Sequence, residues 1–335
     1  MNELSVIIVN YRSVPDIIAC LESAFQFESA HSFEWIIVNN DEADPDGHLV
    51  TSRYPSVKWM NMGYNAGFAR ANNKGIREAD GDIVLLLNPD TIILEDSIEK
   101  CFRRLQASEY VAAAVQLLNE DHSTQITGNF FMKGGLNHLL PLPYIGAFLR
   151  KIAFTIGTKK TNIQRASDEE KVDWISGAFL MVKKSAIDKA GLLDEDFFLY
   201  SEEIEWCSRL GKQGELCVYG DLFTVHLQGE TVNKIMNLQG KGYMDLTGKK
   251  GLQLMVSQHL RIRKQFGKGW FLFHLFMYTL EIPVLFIFSF IENLFRLKNP
   301  FKDWGMAISY SENVAKIWAL SGRILGNRRY FYKMF

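Results

Sequence analysis

The sequence predicts an α/β fold: a mainly parallel sheet with helices on both faces, followed by a C-terminal helical extension. Three observations predict it. The first half alternates short, continuous apolar runs with segments whose apolar residues recur at helical spacing. Polar residues directly follow those runs, at the carboxyl ends where ligands of open α/β sheets bind. From about Gly251 the alternation gives way to helical patterning and a long apolar stretch.

The elements follow in order. Ser5 to Asn10 is a β-branched apolar run and reads as a first strand, and Ile17, Ile18, Leu21 and Phe25 then recur as on a helix face. Trp35 to Val38 is a second strand, ending in Asn39-Asn40-Asp41, and Val57 to Met62 is a third. Ala66 to Ala79 is compatible with a helix, Ile83 to Leu87 is a fourth strand, and Ile98 to Leu105 is helical again. Continuous apolar strands separated by helices belong to sheets buried on both faces. Residues from about Glu120 to Lys171, with Gly134-Gly135, Pro141 and Pro143, read as a loop-rich insert bordering an acceptor site. Trp174 to Ile187 resumes strand character, Glu202 to Gly211 looks helical, and Leu216 to Tyr219 is a further short strand. The expected division is residues 1–245 for the α/β domain and 246–335 for the helical extension.

Composition narrows the function. A chain of 335 residues that is 47% hydrophobic can bury a sizeable core, and a net charge of −1 implies no general attraction to nucleic acid. Cys20, Cys101, Cys207 and Cys217 are scattered without a CxxC pair, which argues against a zinc site or a disulfide framework and suits a reducing cytosol. Met1 to Leu4 lacks a basic start, so no signal peptide is expected.

The chemistry gathers at the strand ends. Asn10-Tyr11, Asn39-Asn40-Asp41 and Asn88-Pro89-Asp90 bring amides and acids to one edge, which suits a ribose, a base edge and a cation-held diphosphate. Asp90, just after a buried strand, is the candidate cation ligand; the same tripeptide also reads as a plain turn. Gly63 to Phe68 is a glycine-spaced loop opening a helix, able to present backbone N–H groups to phosphate or to serve only as a tight turn. It matches neither GxGxxG nor GxxxxGK[ST], which counts against an unrelated dinucleotide or P-loop enzyme.

Ser201 is a candidate N-cap that places Glu202 and Glu203 in a first helical turn. These acids are read either as dipole-favoured surface residues, with Glu205 and Arg209 as an i,i+4 pair, or as a general base for an acceptor hydroxyl. The helix dipole favours the ionised acid and weakens it as a base, and apolar cover from Phe197 and Phe198 acts the other way. His226 is a structural histidine unless the fold brings it to Asp90 as a second cation ligand.

The order of Val9-Asn10-Tyr11, Val38-Asn39-Asn40, Asn65-Ala66-Gly67-Phe68, Leu87 to Thr91, Trp174 to Ala178 and Asp194 to Arg209 resembles glycosyltransferase family 2. The likeness is greatest to its bacterial rhamnosyltransferase-like branch, over roughly residues 4 to 230. The resemblance implies a GT-A (Rossmann-like) fold, a divalent cation (Mg or Mn), and inverting transfer from a nucleotide-sugar to a glycan or lipid-linked acceptor in cell-surface polysaccharide synthesis. Rhamnose on deoxythymidine diphosphate is the first donor it suggests. It also implies Asp90 and His226 as metal ligands, and Asn10, Tyr11, Asn39, Asp41, Asn65 and Asn88 on the nucleotide-sugar side. Trp174, Gly177, Ala178 and Asp194 would shape the sugar and acceptor side, with Glu202-Glu203 as the catalytic pair and Glu203 as the base. Asn39, Glu203 and Glu205 stand where the family often has Asp. A nucleotide-sugar-binding protein without catalysis is the alternative those departures leave. The QxxRW pattern of processive synthases is absent, since Gln258-His259-Leu260-Arg261 is followed by Ile262, which points to one sugar per encounter.

Trp270 to Ile291 is almost wholly apolar, with Arg261, Arg263, Lys264 and Lys268 before it and Arg296, Lys298 and Lys302 after it. Its length could span a bilayer, but His274, Glu281 and Pro283 argue against a lipid-exposed span. An interfacial helix on the inner face of the cell membrane is expected, with a helical bundle or a homodimer interface as the alternatives.

Overall fold

Three of the first four strands form where aliphatic runs can be buried on both faces; the edge strand, Lys58–Asn61, is only partly covered. β1 (Leu4–Asn10), β2 (Glu34–Asn39), β3 (Lys58–Asn61) and β4 (Ile83–Leu87) lie parallel in the order β3-β2-β1-β4. The structure, a computed structural model, describes residues 3–43, 46–130, 135–155, 163–227 and 245–334. Val6, Ile7 and Ile8, Ile36 to Val38, and Val84 to Leu86 are all solvent-free. Each such side chain contributes roughly 1.5–3 kcal/mol over exposure, so the unalternating pattern is stable only between covering layers. Between the strands run α1 (Val14–Phe25), α2 (Gly47–Arg53), α3 (Gly67–Glu78) and α4 (Ser97–Gln106). α3 packs on β1 and β2.

The sheet continues through β5 (Thr91–Ile93), β6 (Ala112–Leu118), β8 (Glu170–Val172), β10 (Phe179–Lys183) and β11 (Leu216–His226), while β7 (Gly128–Asn129) and β9 (Trp174–Ile175) pair separately. Among the described residues it has nine strands, and β10 sits antiparallel between β4 and β6. The sheet is therefore mixed, parallel through β1 to β4 and turning at β10. β11 is longer than its apolar run suggests. Gly220 interrupts that run because its N–H meets Ser167 O at 2.9 Å and a Cβ there would strike the carbonyls of Ala166 and Ser167. The register shifts between Tyr219 and Phe223, and the strand then resumes to His226. Trp174 to Ile187, expected as strand, divides into β9, β10 and the start of α6 (Lys184–Ala190), and α7 (Glu202–Leu210) follows.

Two compact units divide the chain. The first holds the described residues up to 130, with 163–198 and 202–227; the second holds 135–155, 199–201 and 245–334. The expected loop-rich insert thus contributes a helix, α5 (Tyr144–Thr155), to the second unit. There it joins α8 (Gly248–Phe266), α9 (Lys268–Phe295) and α10 (Trp304–Leu325). α5 begins right after Pro143, and the Glu281 carboxylate accepts the N–H groups of Tyr144 (2.6 Å) and Ile145 (3.0 Å). A side chain remote in sequence supplies the cap that local residues do not.

α9 is divided lengthwise. Phe271, His274, Leu275, Tyr278, Glu281, Leu285, Ser289 and Asn293 are buried, so the polar residues that argued against a lipid-exposed span face inward. Its solvent side carries Phe276, Ile287, Phe288 and Leu294, and Phe295 is 83% exposed. The basic flank differs from expectation. Arg261 is buried with its guanidinium 3.1 Å from His138 Nδ1, and Arg263 donates to Leu325 O at 3.0 Å, so both are engaged with acceptors of the second unit. Arg296, Lys298 and Lys302 remain exposed at the carboxyl end of α9.

Candidate functional site

The carboxyl ends of β1 to β3 are laced by asparagines. Register places Asn10 beside Asn39, and Asn39 beside Asn61. Asn10 Nδ2 donates to Asn39 Oδ1 at 2.8 Å, and Asn39 Nδ2 donates to Asn61 Oδ1 at 3.0 Å. Asn10 Oδ1 also receives the Ser13 N–H at 3.0 Å, which ties β1 to α1. Next to this ladder, Asn40 Nδ2 donates to Asn65 Oδ1 at 3.2 Å, and Asn65 Oδ1 receives the Gly67 N–H at 3.1 Å. Asn10, Asn39 and Asn40 are all buried, so these amides satisfy one another and fix the rim. Asn39, expected on the base side, is held on both ends of its amide. Asp41 is paired with Arg12 at 3.0 Å, and the Arg12 guanidinium lies 5.4 Å from the Tyr11 ring centre.

At the end of β4 the geometry changes. Asn88 N donates to Ala178 O at 3.0 Å, and Leu227 N donates to Asp90 O at 2.9 Å. β11 pairs with β5 so that His226 faces Thr91, which carries the imidazole to Asp90. His226 Nε2 lies 3.4 Å from Asp90 Oδ1 and 3.2 Å from Asn88 Nδ2. The sequence condition on His226 is met: the fold brings it to Asp90. Both side chains are largely buried, and an open depression lined by Asn119, Glu120, Asp121, His226 and Leu227 lies beside His226. A carboxylate oxygen and an imidazole nitrogen at this separation suit a divalent cation. Among the described residues no group of three or more His, Cys, Asp or Glu is arranged to hold a metal. The Asp90–His226 pair would therefore leave coordination positions to phosphate oxygens and water, as Mg or Mn does at nucleotides.

The rim continues from Asn88 through Ala178 to Gly177. A Cβ at Gly177 would lie 3.3 Å from the Phe68 ring and 3.7 Å from Glu203 Cβ. Asn88, Gly177 and Glu203 thus occupy one stretch of the first unit's edge, with Phe68 between the glycine loop and α7. Phe68 N donates to Phe198 O at 2.9 Å. Within α7, Glu202 is buried, Glu205 is bound by Arg209 at 2.8 Å, and Glu203 is partly exposed. Ser201 precedes α7 with a left-handed φ of 69°, as does Tyr200 with 73°, and an ordinary N-cap is extended instead.

Trp174 lies in β9, paired with Asn129. Asp194 Oδ1 receives the Asp196 N–H at 3.0 Å, and Glu195 is bound by Arg77 and Asn73 at 2.8 and 3.0 Å. Those two acids shape the turn against α3. All four cysteines are free and buried, and burial pushes the Cys20 and Cys207 thiols up to about 12, so neither supplies a thiolate. Sequence reading passed over Gln125, which touches His226 from behind; a lone glutamine in a loop-rich stretch carries no periodic signal.

The mixed sheet, with its polar rim at the carboxyl ends of the parallel strands, is a GT-A glycosyltransferase fold. The glycosyl transferase family 2 profile matches residues 5–189, and the chain belongs to that family. Among curated relatives, it is 28% identical over 222 residues to the low-salt glycan biosynthesis hexosyltransferase Agl10 of Haloferax volcanii, covering 64% of this chain and 63% of that protein. It thus spans less than two thirds of that relative's length. It is 26% identical over 231 residues to the N-acetylglucosaminyl-diphospho-decaprenol L-rhamnosyltransferase of Mycobacterium tuberculosis, covering 64% and 73%. Among solved structures, the mannosyltransferase PcManGT from Pyrobaculum calidifontis, in complex with GDP-Man and Mn2+, shares the fold with a TM-score of 0.53 at 13% identity, over 97% of this chain and 88% of that one.

Proposed function

We propose that this chain transfers one sugar per encounter, with inversion, from a nucleoside-diphosphate donor to a hydroxyl of a glycan or lipid-linked acceptor. The observation that carries this reading is the single rim on which Asn88, Asp90 and His226 continue through Ala178 and Gly177 to Glu203. Asp90 and His226 would hold a divalent cation, Mg or Mn, whose charge stabilises the departing diphosphate. The glycine loop and Asn65 border the nucleotide, and Tyr11 and Asp41 flank its nucleoside end. Gly177, where a Cβ would press on the Phe68 ring, lets α7 approach the rim closely, and the acceptor hydroxyl enters on the exposed side of Glu203. Glu203, the partly exposed member of its pair, takes the hydroxyl proton as the oxygen attacks the anomeric carbon from the face opposite the leaving group. Buried Glu202 supports the turn. The extra methylene of Glu203 relative to aspartate lengthens the reach of the base.

Rhamnose is the first donor sugar to test and a polyprenyl-diphosphate glycan the first acceptor, supported by the name of the mycobacterial relative. Such an acceptor calls for enzyme at the inner membrane surface. The outward face of α9, with Phe276, Phe288 and Phe295, and exposed Arg296, Lys298 and Lys302 at its end, fits an anionic lipid surface by apolar area and charge together. The helix lies in the surface plane, since Glu281 and His274 are committed to the bundle interior.

The test is a panel of nucleoside-diphosphate sugars with Mn2+ and membrane-extracted acceptors, read by release of nucleoside diphosphate. Acceptor-dependent release is expected with one donor. Nucleotide binding without release from any donor, against extracts that support a known transferase, would leave a binding protein instead.

A further inference from the structure

We infer that Gln125 is a positioning residue that locks the His226 imidazole with its proton on Nδ1, leaving Nε2 as the ring nitrogen that faces Asp90. Only the consequence for a cation rests on the function proposed above.

The argument starts from the glutamine amide. Its Nε2 is surrounded by three oxygens: Leu118 O at 3.1 Å, Asn119 Oδ1 at 2.9 Å and His226 O at 2.5 Å. Asn119 Nδ2 is committed to Ser123 Oγ at 2.8 Å, which leaves Asn119 Oδ1 as the acceptor. Only an NH2 group fits among three acceptors, so the orientation of the Gln125 amide is fixed by chemistry. Its Oε1 then lies 3.1 Å from His226 Nδ1. An amide oxygen accepts and never donates, so Nδ1 carries the hydrogen and donates. On the other side of the ring, Nε2 lies 3.2 Å from Asn88 Nδ2 and 3.4 Å from Asp90 Oδ1.

Gln125 is itself well anchored. It is buried, its N–H donates to Leu117 O at 2.8 Å, and its carbonyl accepts Gln116 Nε2 at 2.7 Å. One side chain therefore grips both the ring and the main-chain carbonyl of His226, and ties ring rotation and tautomer to the end of β6. Groups that orient a ligating histidine from behind are typically worth about 10–100-fold in metal affinity.

The experiment uses the full chain with 15N-labelled histidine at mildly alkaline pH, in wild type, Gln125→Leu, Gln125→Glu and His226→Ala forms. Long-range proton–nitrogen NMR reads the tautomer directly, the His226 signals being those missing from His226→Ala. The expected spectrum has protonated Nδ1 and bare Nε2 in wild type and a mixture in Gln125→Leu; Gln125→Glu, whose second oxygen would face three acceptors with no hydrogen to give them, is expected not to restore the wild-type spectrum. A wild-type spectrum with protonated Nε2 overturns the inference even if every variant fails to fold. Mn2+ binding, followed by paramagnetic resonance, is expected to weaken about tenfold in Gln125→Leu, with no further loss when His226 is already alanine. An equal loss with and without His226 would make Gln125 merely structural and overturn the inference. Wild-type Mn2+ affinity in His226→Ala, with the Nδ1 proton still seen in the parent protein, would retire the cation reading alone.

Discussion

Polar side chains at the strand ends of the first unit answer one another, as the Asn10–Asn39–Asn61 ladder does, and the rim they build carries Asp90, His226 and Glu203. In the second unit the distribution is turned inside out. His274, Glu281, Ser289 and Asn293 lie within the bundle, and phenylalanines line the outside of α9. The first pattern is what a polar ligand requires of a water-facing edge. The second has an apolar exterior that water does not favour, and it fits a surface that also offers negative charge to Arg296, Lys298 and Lys302. The difference teaches that the two units place the same residue types in opposite ways, as the proposed chemistry and the proposed docking each require.

The sharpest break falls on the rim. Glu203→Gln is expected to lower transfer by about 100-fold or more while nucleotide affinity stays unchanged, which steady-state rates and calorimetry would read. Undiminished turnover would remove Glu203 as the base. On the second unit, changing Phe276, Phe288 and Phe295 to serine is expected to weaken partition onto anionic phospholipid vesicles by about tenfold or more, with unchanged thermal unfolding. Undisturbed partition combined with loss of a sedimenting dimer would hand that face to a second copy of the chain.

Smaller effects probe the buried polar groups. Glu281→Ala removes both acceptors at the start of α5 and should cost about 1–3 kcal/mol in denaturant unfolding; an unchanged midpoint would show that α5 needs no cap. Burial holds His138 down at about 3, helped by the Arg261 charge, and His259 at about 4, against an ordinary 6.5. The unfolded chain takes up these protons first. Stability of the helical unit is therefore full above 6.5 and falls as pH drops toward 4, by at most about 1.4 kcal/mol per pH unit for each histidine. Helical circular dichroism in urea at stepped pH would show that slope, and a flat profile would argue that water reaches both rings.

What the sequence made legible follows from range. β1, β2 and β4 announce themselves as aliphatic runs because burial on both faces removes the need to alternate. The antiparallel entry of β10 between β4 and β6 is a choice of partners far along the chain, which no local pattern encodes. α5 was hidden because Gly134, Gly135, Pro141 and Pro143 signal loop, and its cap comes from Glu281 in another helix. Asp90 and His226 were each ambiguous alone, and pairing of β11 with β5 joins them. Gln125 could not be found, since its meaning lies in three oxygens contributed by other residues.

The Gly67–Phe198 contact has a practical consequence. Gly67 has a φ of +77°, a side chain there would collide with the Phe198 carbonyl, and the adjacent Phe68 N–H bonds that same oxygen. The glycine loop and the stretch leading into α7 are thus clasped together. On the function proposed above, a chimera whose imported residues 63–68 replace Gly67 would break the clasp, and donor preference and turnover are expected to shift as a pair. Engineering in either segment therefore has to treat both halves of the clasp as one part.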